Sequence, residues 1–223
     1  MLLKVLSFLY KQIMYLIVPP FCVYCKQWLS ERLIFCMRCN DLIQPIVSTQ
    51  IAITASVSMS IFAISPYQEP LKSLILAKLQ SQRLSSLQLG ALMWELTSLD
   101  NLNFDFIVPI PLHWTRYAHR GYNQAEVIAS IIAQKSGKPL VNLLKRRKRT
   151  LFQAQLSVEE RSLNLQDAFD LTISQEDLKR YSGKIILLVD DLMTTGSTFK
   201  TAAKKLLLVK PANIYGVVAC RTL

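Results

Sequence analysis

Apolar positions in this chain follow two patterns: short unbroken runs, and recurrences at helical spacing. The clearest run is Ile185-Ile186-Leu187-Leu188-Val189, which stops at Asp190-Asp191. A run without polar alternation predicts a strand buried on both faces, as in the middle of a parallel sheet. The hydroxyl-rich stretch Thr194-Thr195-Gly196-Ser197-Thr198 follows, and helical spacing then predicts a helix over Phe199 to Val209. Phe104 to Ile110 reads as a strand ended by Pro109 and Pro111, Leu140 to Leu144 as a short strand, and Asn213 to Ala219 as a final one. Ile51 to Ile64 alternates β-branched residues with serines, which predicts a strand or hairpin, and Pro66 to Pro70 a turn. Leu71 to Thr97 and Tyr122 to Gln134 have helical periodicity, the second stopped by Gly137-Lys138-Pro139. Ser182-Gly183-Lys184 turns the chain into the strand at 185. Strands alternating with helices predict an α/β fold with a mostly parallel sheet and helices on both faces.

The segment 1–20 is apolar but broken by Lys4 and Lys11, and Pro19-Pro20 ends it. A bilayer span needs about 20 nearly uninterrupted apolar residues. The pattern instead predicts an amphipathic helix docked on the protein, with a signal peptide or surface anchor as the weaker alternative. Residues 21–50 hold two C-x-x-C pairs, Cys22/Cys25 and Cys36/Cys39, ten residues apart. Such pairs bring four thiolates to one tetrahedral ion, so a structural Zn2+ ribbon is expected, its folding energy supplied largely by the metal. Two disulfides are the competing possibility, but they would leave Cys220 over, and nothing else suggests export. Residues 51–223 would then form the main domain.

Composition narrows the choice further. A hydrophobic fraction of 51% in 223 residues fills a core and excludes a disordered chain. The net charge is +11 and the pI about 9.6, which favours a polyanionic partner. Positions 111–150 carry nine Lys/Arg and one acid, Glu126. Within them, Lys145-Arg146-Arg147-Lys148-Arg149 forms an unbroken basic run near Phe152. A charge run is most often a solvated loop, yet a cationic groove with aromatic platforms suits single-stranded nucleic acid.

The acids and the hydroxyl loop have separable chemistry. A carboxylate pair at the end of a parallel strand lies where open α/β sheets hold ligands. It suits ribose hydroxyls or a bound Mg2+. Thr194 to Thr198 offer hydroxyls and unpaired N–H groups at a helix start, which favour a phosphate, and Gly196 allows close approach. The simpler alternative is an acid that merely caps the helix. A second constellation, Pro111-Leu112-His113-Trp114-Thr115-Arg116 with Arg120-Gly121-Tyr122-Asn123-Gln124, follows the strand at 104–110. Arg116 and Arg120 can grip a diphosphate in bidentate fashion, Gly121 lets backbone approach, and Asn123 and Gln124 add directional hydrogen bonds. A solvated loop with an asparagine helix cap is the plainer possibility.

Val189 to Thr198 closely resembles the phosphoribosyl pyrophosphate signature of type I phosphoribosyltransferases. With the cysteine pairs, Pro111 to Arg116, Arg120 to Gln124 and Gln153 to Asn164, it resembles the ComF/GntX family of competence-associated phosphoribosyltransferase-like proteins. The resemblance implies a type I phosphoribosyltransferase-like α/β fold with an N-terminal zinc ribbon. It implies that Asp190 and Asp191 contact the ribose and that Thr194, Thr195, Gly196, Ser197 and Thr198 wrap its phosphate. It further implies a cytoplasmic role in natural transformation, handling single-stranded DNA with a helicase-like competence protein and recombination factors. A place near the inner face of the membrane is left open. A nucleotide-salvage phosphoribosyltransferase acting on a small nucleobase is the alternative; it needs neither the ribbon nor the basic window.

Overall fold

The computed structural model describes residues 21–30, 33–44, 48–79, 83–112, 117–118, 120–146, 168–174 and 176–222. The expected N-terminal amphipathic helix over 1–20 lies outside them. A six-stranded sheet runs β1 (Thr49–Ala52), β2 (Ser58–Pro66), β8 (Asn213–Arg221), β6 (Ile185–Val189), β3 (Phe106–Pro109), with β7 (Leu192–Met193) also pairing β8. The β1–β2 pair is antiparallel, which makes Ile51 to Ile64 a hairpin; every other pairing in this sheet is parallel. The helices are α1 (Leu71–Leu79), α2 (Arg83–Leu96), α3 (Gln124–Ser136) and α4 (Ser197–Leu206).

β6 is buried on both faces. Leu187 and Val189 join a core with Leu71, Leu89, Leu92 and Ile128 from α1, α2 and α3. Ile186 and Leu188 face the opposite core, with Phe199, Ala203 and Leu206 of α4. Burying one such aliphatic is worth roughly 1.5–3 kcal/mol, which explains why an unalternating run settles at the sheet centre. Gly216 of β8 lets α4 come close, because a Cβ there would lie 2.9 Å from both Phe199 and Ile61.

Several boundaries differ from the pattern-based expectation. The stretch Leu71 to Thr97 holds two helices rather than one. Leu140 contributes only a single bridge to Ile107, and regular pairing begins at β4 (Leu144–Arg146), in a separate antiparallel pair with β5 (Phe169–Leu171). The intervening backbone is committed elsewhere: Val141 N–H donates to Ile107 O at 2.9 Å, and Leu143 N–H to Val141 O at 3.1 Å. α4 starts two residues early, at Ser197, and tightens into a 3-10 turn over Leu207–Val209. β8 runs past Ala219 to Arg221, because β7 gives its end a partner.

Candidate functional site

The carboxyl edge of the sheet is organised around the end of β6. Asp190 N–H donates to Val217 O at 3.1 Å, and Asp191 O accepts from Ala219 N–H at 3.2 Å and Cys220 N–H at 3.4 Å. Backbone pairing with β8 thus continues through both acids into β7 and fixes their positions. Asp190 Oδ1 accepts from Asp191 N–H at 2.9 Å, and both residues are half-buried.

The loop that follows is built on Gly196. Its φ of 74° is left-handed, and a Cβ there would fall 2.3 Å from Ile51 Cδ1 and 3.6 Å from Met193 Sδ. Ile51 of β1 therefore forms the floor of the loop, a role with no signature in the motif itself. Gly196 is the N-cap residue of α4, and as a glycine it brings no side-chain cap bond of its own. Thr195 Oγ1 donates to Ser197 Oγ at 3.1 Å. Thr194 and Thr195 are exposed, and Ser197 and Thr198 half-buried. The arrangement is an open cup of hydroxyls at a helix start, suited to an anion.

The end of β3 adjoins the end of β6, where Ile110 N–H donates to Val189 O at 2.9 Å. Arg116, with His113, Trp114 and His119, lies outside the described residues. Arg120 is half-buried in a short helical turn. Gly121 has φ 77°, the left-handed turn that glycine adopts readily, and nothing lies within 4 Å of where a Cβ would sit, which leaves its backbone open to approach. Asn123 is committed to structure: Nδ2 donates to Ile110 O at 3.1 Å, and Oδ1 accepts from Ala125 N–H at 3.2 Å, capping α3. Gln124, in the first turn of α3, is buried and its Nε2 has no partner among the described residues.

Of the basic run, Lys145 is exposed and Arg146 lies over the Phe169 ring, 5.5 Å from its centroid. Both belong to β4 rather than to a free loop. Arg147, Lys148, Arg149 and Phe152 lie outside the described residues. Lys205 of α4 pairs with Asp170 of β5 at 3.6 Å and holds the β4–β5 pair against the sheet layer.

The four cysteines converge at the other end of the sequence. Cys22, Cys25, Cys36 and Cys39 have their sulfurs within 4.8 Å of one another, and none is in a disulfide. Cys25 and Cys36 Sγ are 3.6 Å apart. Tetrahedral Zn–S bonds of about 2.3 Å place sulfurs about 3.8 Å apart, so the cluster fits such an ion. The first knuckle is closed by Lys26 N–H to Cys22 O at 3.0 Å, with Lys26 at φ 62°; the second opens the one-turn helix Met37–Asn40. Burial would raise the Cys22 thiol, yet backbone N–H groups of Cys36, Cys25 and Tyr24 prevail and hold it down to about 6. Burial and the neighbouring thiols push Cys39 up to about 12. A cation between them would remove that conflict.

A family model described as "Phosphoribosyl transferase domain" matches residues 78–222. The chain belongs to that family. The matched phosphoribosyltransferase domain contains both the β3 loop and the β6 signature. Competence protein F of Haemophilus influenzae is 37% identical over 114 residues, covering 50% of this chain and 48% of that protein. Competence protein ComFC of Bacillus subtilis is 36% identical over 101 residues, covering 45% of this chain and 38% of that protein. The ComF resemblance is therefore carried by sequence, although the chain spans about half the length or less of these curated relatives. An adenine phosphoribosyltransferase structure from Thermoanaerobacter pseudethanolicus overlaps 83% of this chain and 98% of its own at 15% identity and a TM-score of 0.36. No helix among the described residues is long and apolar enough to cross a membrane.

Proposed function

We propose that the phosphoribosyltransferase domain binds phosphoribosyl pyrophosphate at the carboxyl edge of β6 and serves single-stranded DNA handling during natural competence. The observation that carries this is the half-buried Asp190–Asp191 pair leading into a hydroxyl cup whose floor is Ile51 and whose turn requires Gly196. Asp190 and Asp191 would hold the ribose hydroxyls. Thr194 to Thr198 would hold the 5′-phosphate through hydroxyls and the α4 start. Arg116 and Arg120 would face the diphosphate from the β3 loop. Bound Mg2+ would neutralise charge on that diphosphate.

Transfer would form a bond from an acceptor's electron pair to C1 of the ribose. The C1–O bond would break with its pair leaving on diphosphate, and the acceptor's proton would pass to solvent. The protein's share would be positioning and charge stabilisation. Zn2+ on Cys22, Cys25, Cys36 and Cys39 would be structural, since four sulfurs leave no open coordination site. The cationic run from Lys145 to Arg149 supports a polyanionic partner, and the competence-named relatives support DNA as that partner.

Calorimetric titration of the full chain with phosphoribosyl pyrophosphate, with and without magnesium and a single-stranded oligonucleotide, tests this. Magnesium-dependent donor binding lost in Asp190→Asn with Asp191→Asn is the expected result. An unchanged donor affinity in that double variant would remove the pocket. Pyrophosphate release in the presence of an oligonucleotide would add turnover to binding.

A further inference from the structure

From Leu192 to Leu223 the chain carries Lys200, Lys204, Lys205, Lys210 and Arg221 and no acid. α4 lies within that stretch, and its two sides are sharply divided. Phe199, Ala202, Ala203 and Leu206 are buried against the sheet. Lys200 and Lys204 are exposed one turn apart on the opposite side, with Ser197 and Thr201 half-buried along the same stripe. Neither lysine pairs with an acid among the described residues. Helix stability alone would not select this pattern. Like charges four residues apart repel. No acid occupies the first turn, and Lys200 closes it, where the positive end of the helix disfavours a cation. A face kept against helix stability in this way points to an anionic partner.

The stripe has a beginning and a continuation. At its amino end Ser197 belongs to the hydroxyl cup after β6. On its flank Lys205 Nζ lies 3.6 Å from Asp170 Oδ1 of β5. Asp170 is directly opposite Lys145 in the β4–β5 register, and opposed residues project from the same face of a ladder. The exposed Lys145 therefore shares a side of the molecule with α4, and Lys145 and Lys205 flank a single acid. Cations thus run from the cup along α4 to the basic strand β4. A row of point charges on a straight element suits successive phosphates of one nucleic-acid strand. It suits a lipid surface less, because a helix lying on a membrane presents an apolar face, and that of α4 is buried in the core.

We propose that the exposed stripe of α4, with Lys200 and Lys204 as its contacts, is a backbone-phosphate track for single-stranded nucleic acid that joins β4 to the lip of the sugar-phosphate cup. This rests on the reading of single-stranded nucleic acid as the partner and deepens it: the contacts lie on α4, outside the run Lys145 to Arg149, and require no turnover of a donor.

The test measures binding of a thymidine oligonucleotide to the full chain over a range of salt concentrations. Each phosphate contact on a single strand contributes about 0.7 to the slope of log affinity against log salt. Lys200→Gln with Lys204→Gln is therefore expected to flatten the slope by about 1.4 and to weaken binding about tenfold or more at about 0.1 M salt. Glutamine forms helix about as well as lysine, so α4 is retained in that variant. Lys200→Arg with Lys204→Arg keeps the charge and should keep the slope. Lys72→Gln with Lys135→Gln, on α1 and α3 in the opposite layer, removes the same charge and should leave the slope as in wild type. Equal flattening by that control pair would reduce the effect to net charge and overturn the track. An unchanged slope in the α4 glutamine pair, with the oligonucleotide still bound, would overturn the track and leave the nucleic-acid reading standing. A wild-type chain that binds no oligonucleotide at low salt would sink that reading and the track with it. Phosphatidylglycerol vesicles bound through Lys200 and Lys204, with oligonucleotide affinity unmoved by their loss, would assign the stripe to a lipid surface and overturn the track.

Discussion

Gly196 and Gly121 share a left-handed backbone but not a neighbourhood, and the difference makes them separable by mutation. At Gly121 a Cβ meets open space, so Gly121→Ala carries only the strain of φ 77°, about 1–2 kcal/mol. At Gly196 the same strain is joined by a 2.3 Å approach to Ile51 Cδ1. Gly196→Ala is therefore expected to displace the Thr194 to Thr198 cup and to lower donor affinity by about tenfold or more, measured by calorimetry. Gly196→Ala combined with Ile51→Ala relieves the contact but not the φ, so it should recover only part of that loss. Unchanged donor affinity in Gly196→Ala would mean the cup is not the phosphate site. Motif spacing gave the identity of these loop residues. It could not give Ile51, because the residue beneath a loop is chosen by how a hairpin more than a hundred positions away folds against it.

At the scale of elements, β6 was readable in full because its two burial faces leave no polar alternation. The β4–β5 pair was not readable: a strand of three residues gives no periodicity to detect. The extension of the final strand to Arg221 was likewise missed, because it depends on pairing with β7 rather than on the strand's own residues. The close contact of α4 with β8 yields a prediction about packing. Gly216→Ala would bring a methyl to 2.9 Å from Phe199 and Ile61, both buried, and overpacking of that kind costs about 1–3 kcal/mol. Urea denaturation should show it as a lower midpoint with an unchanged slope.

The start of β6 carries a charge-dependent tie as well. Asp105 Oδ2 accepts from Ile185 N–H at 2.8 Å, and Lys184 Nζ lies 3.3 Å from Oδ1. The Ile185 N–H is the main cause holding the Asp105 carboxyl below its usual range, with burial opposing and Lys184 assisting. A carboxylate with a depressed folded pKa stabilises above its unfolded value, near 4, and that stability is lost as pH falls through the folded value. Wild type should therefore lose stability on acidification more steeply than Asp105→Asn, with the two curves converging at low pH. Parallel curves from neutral to acidic pH would remove the tie.

At the scale of the molecule, the cysteine cluster is not an appendage. Cys22, Cys36 and Cys39 pack with Leu29 and Phe35 in the same continuous core as Leu71, Leu92, Ile128 and Val217. A module that shares its core with the sheet cannot melt without exposing that core. Removing the metal with a strong chelator under reducing conditions should therefore lower the unfolding temperature of the whole chain in a single transition. Two separated transitions, with the upper one unmoved, would show an independent ribbon.

The charge distribution asks for a different design. Arg146 lies over the buried Phe169 ring, so changing it would confound DNA contact with packing. Neutralising Lys145, Arg147, Lys148 and Arg149 while keeping Arg146 isolates the electrostatic contribution. On single strands each lost phosphate contact should flatten the dependence of log affinity on log salt by about 0.7. The four-fold variant should therefore bind an oligonucleotide more weakly at low salt and with a shallower slope, while donor affinity at the β6 edge is unaltered. A parallel slope would place DNA on another surface of the protein and leave the cationic run as a solvated face.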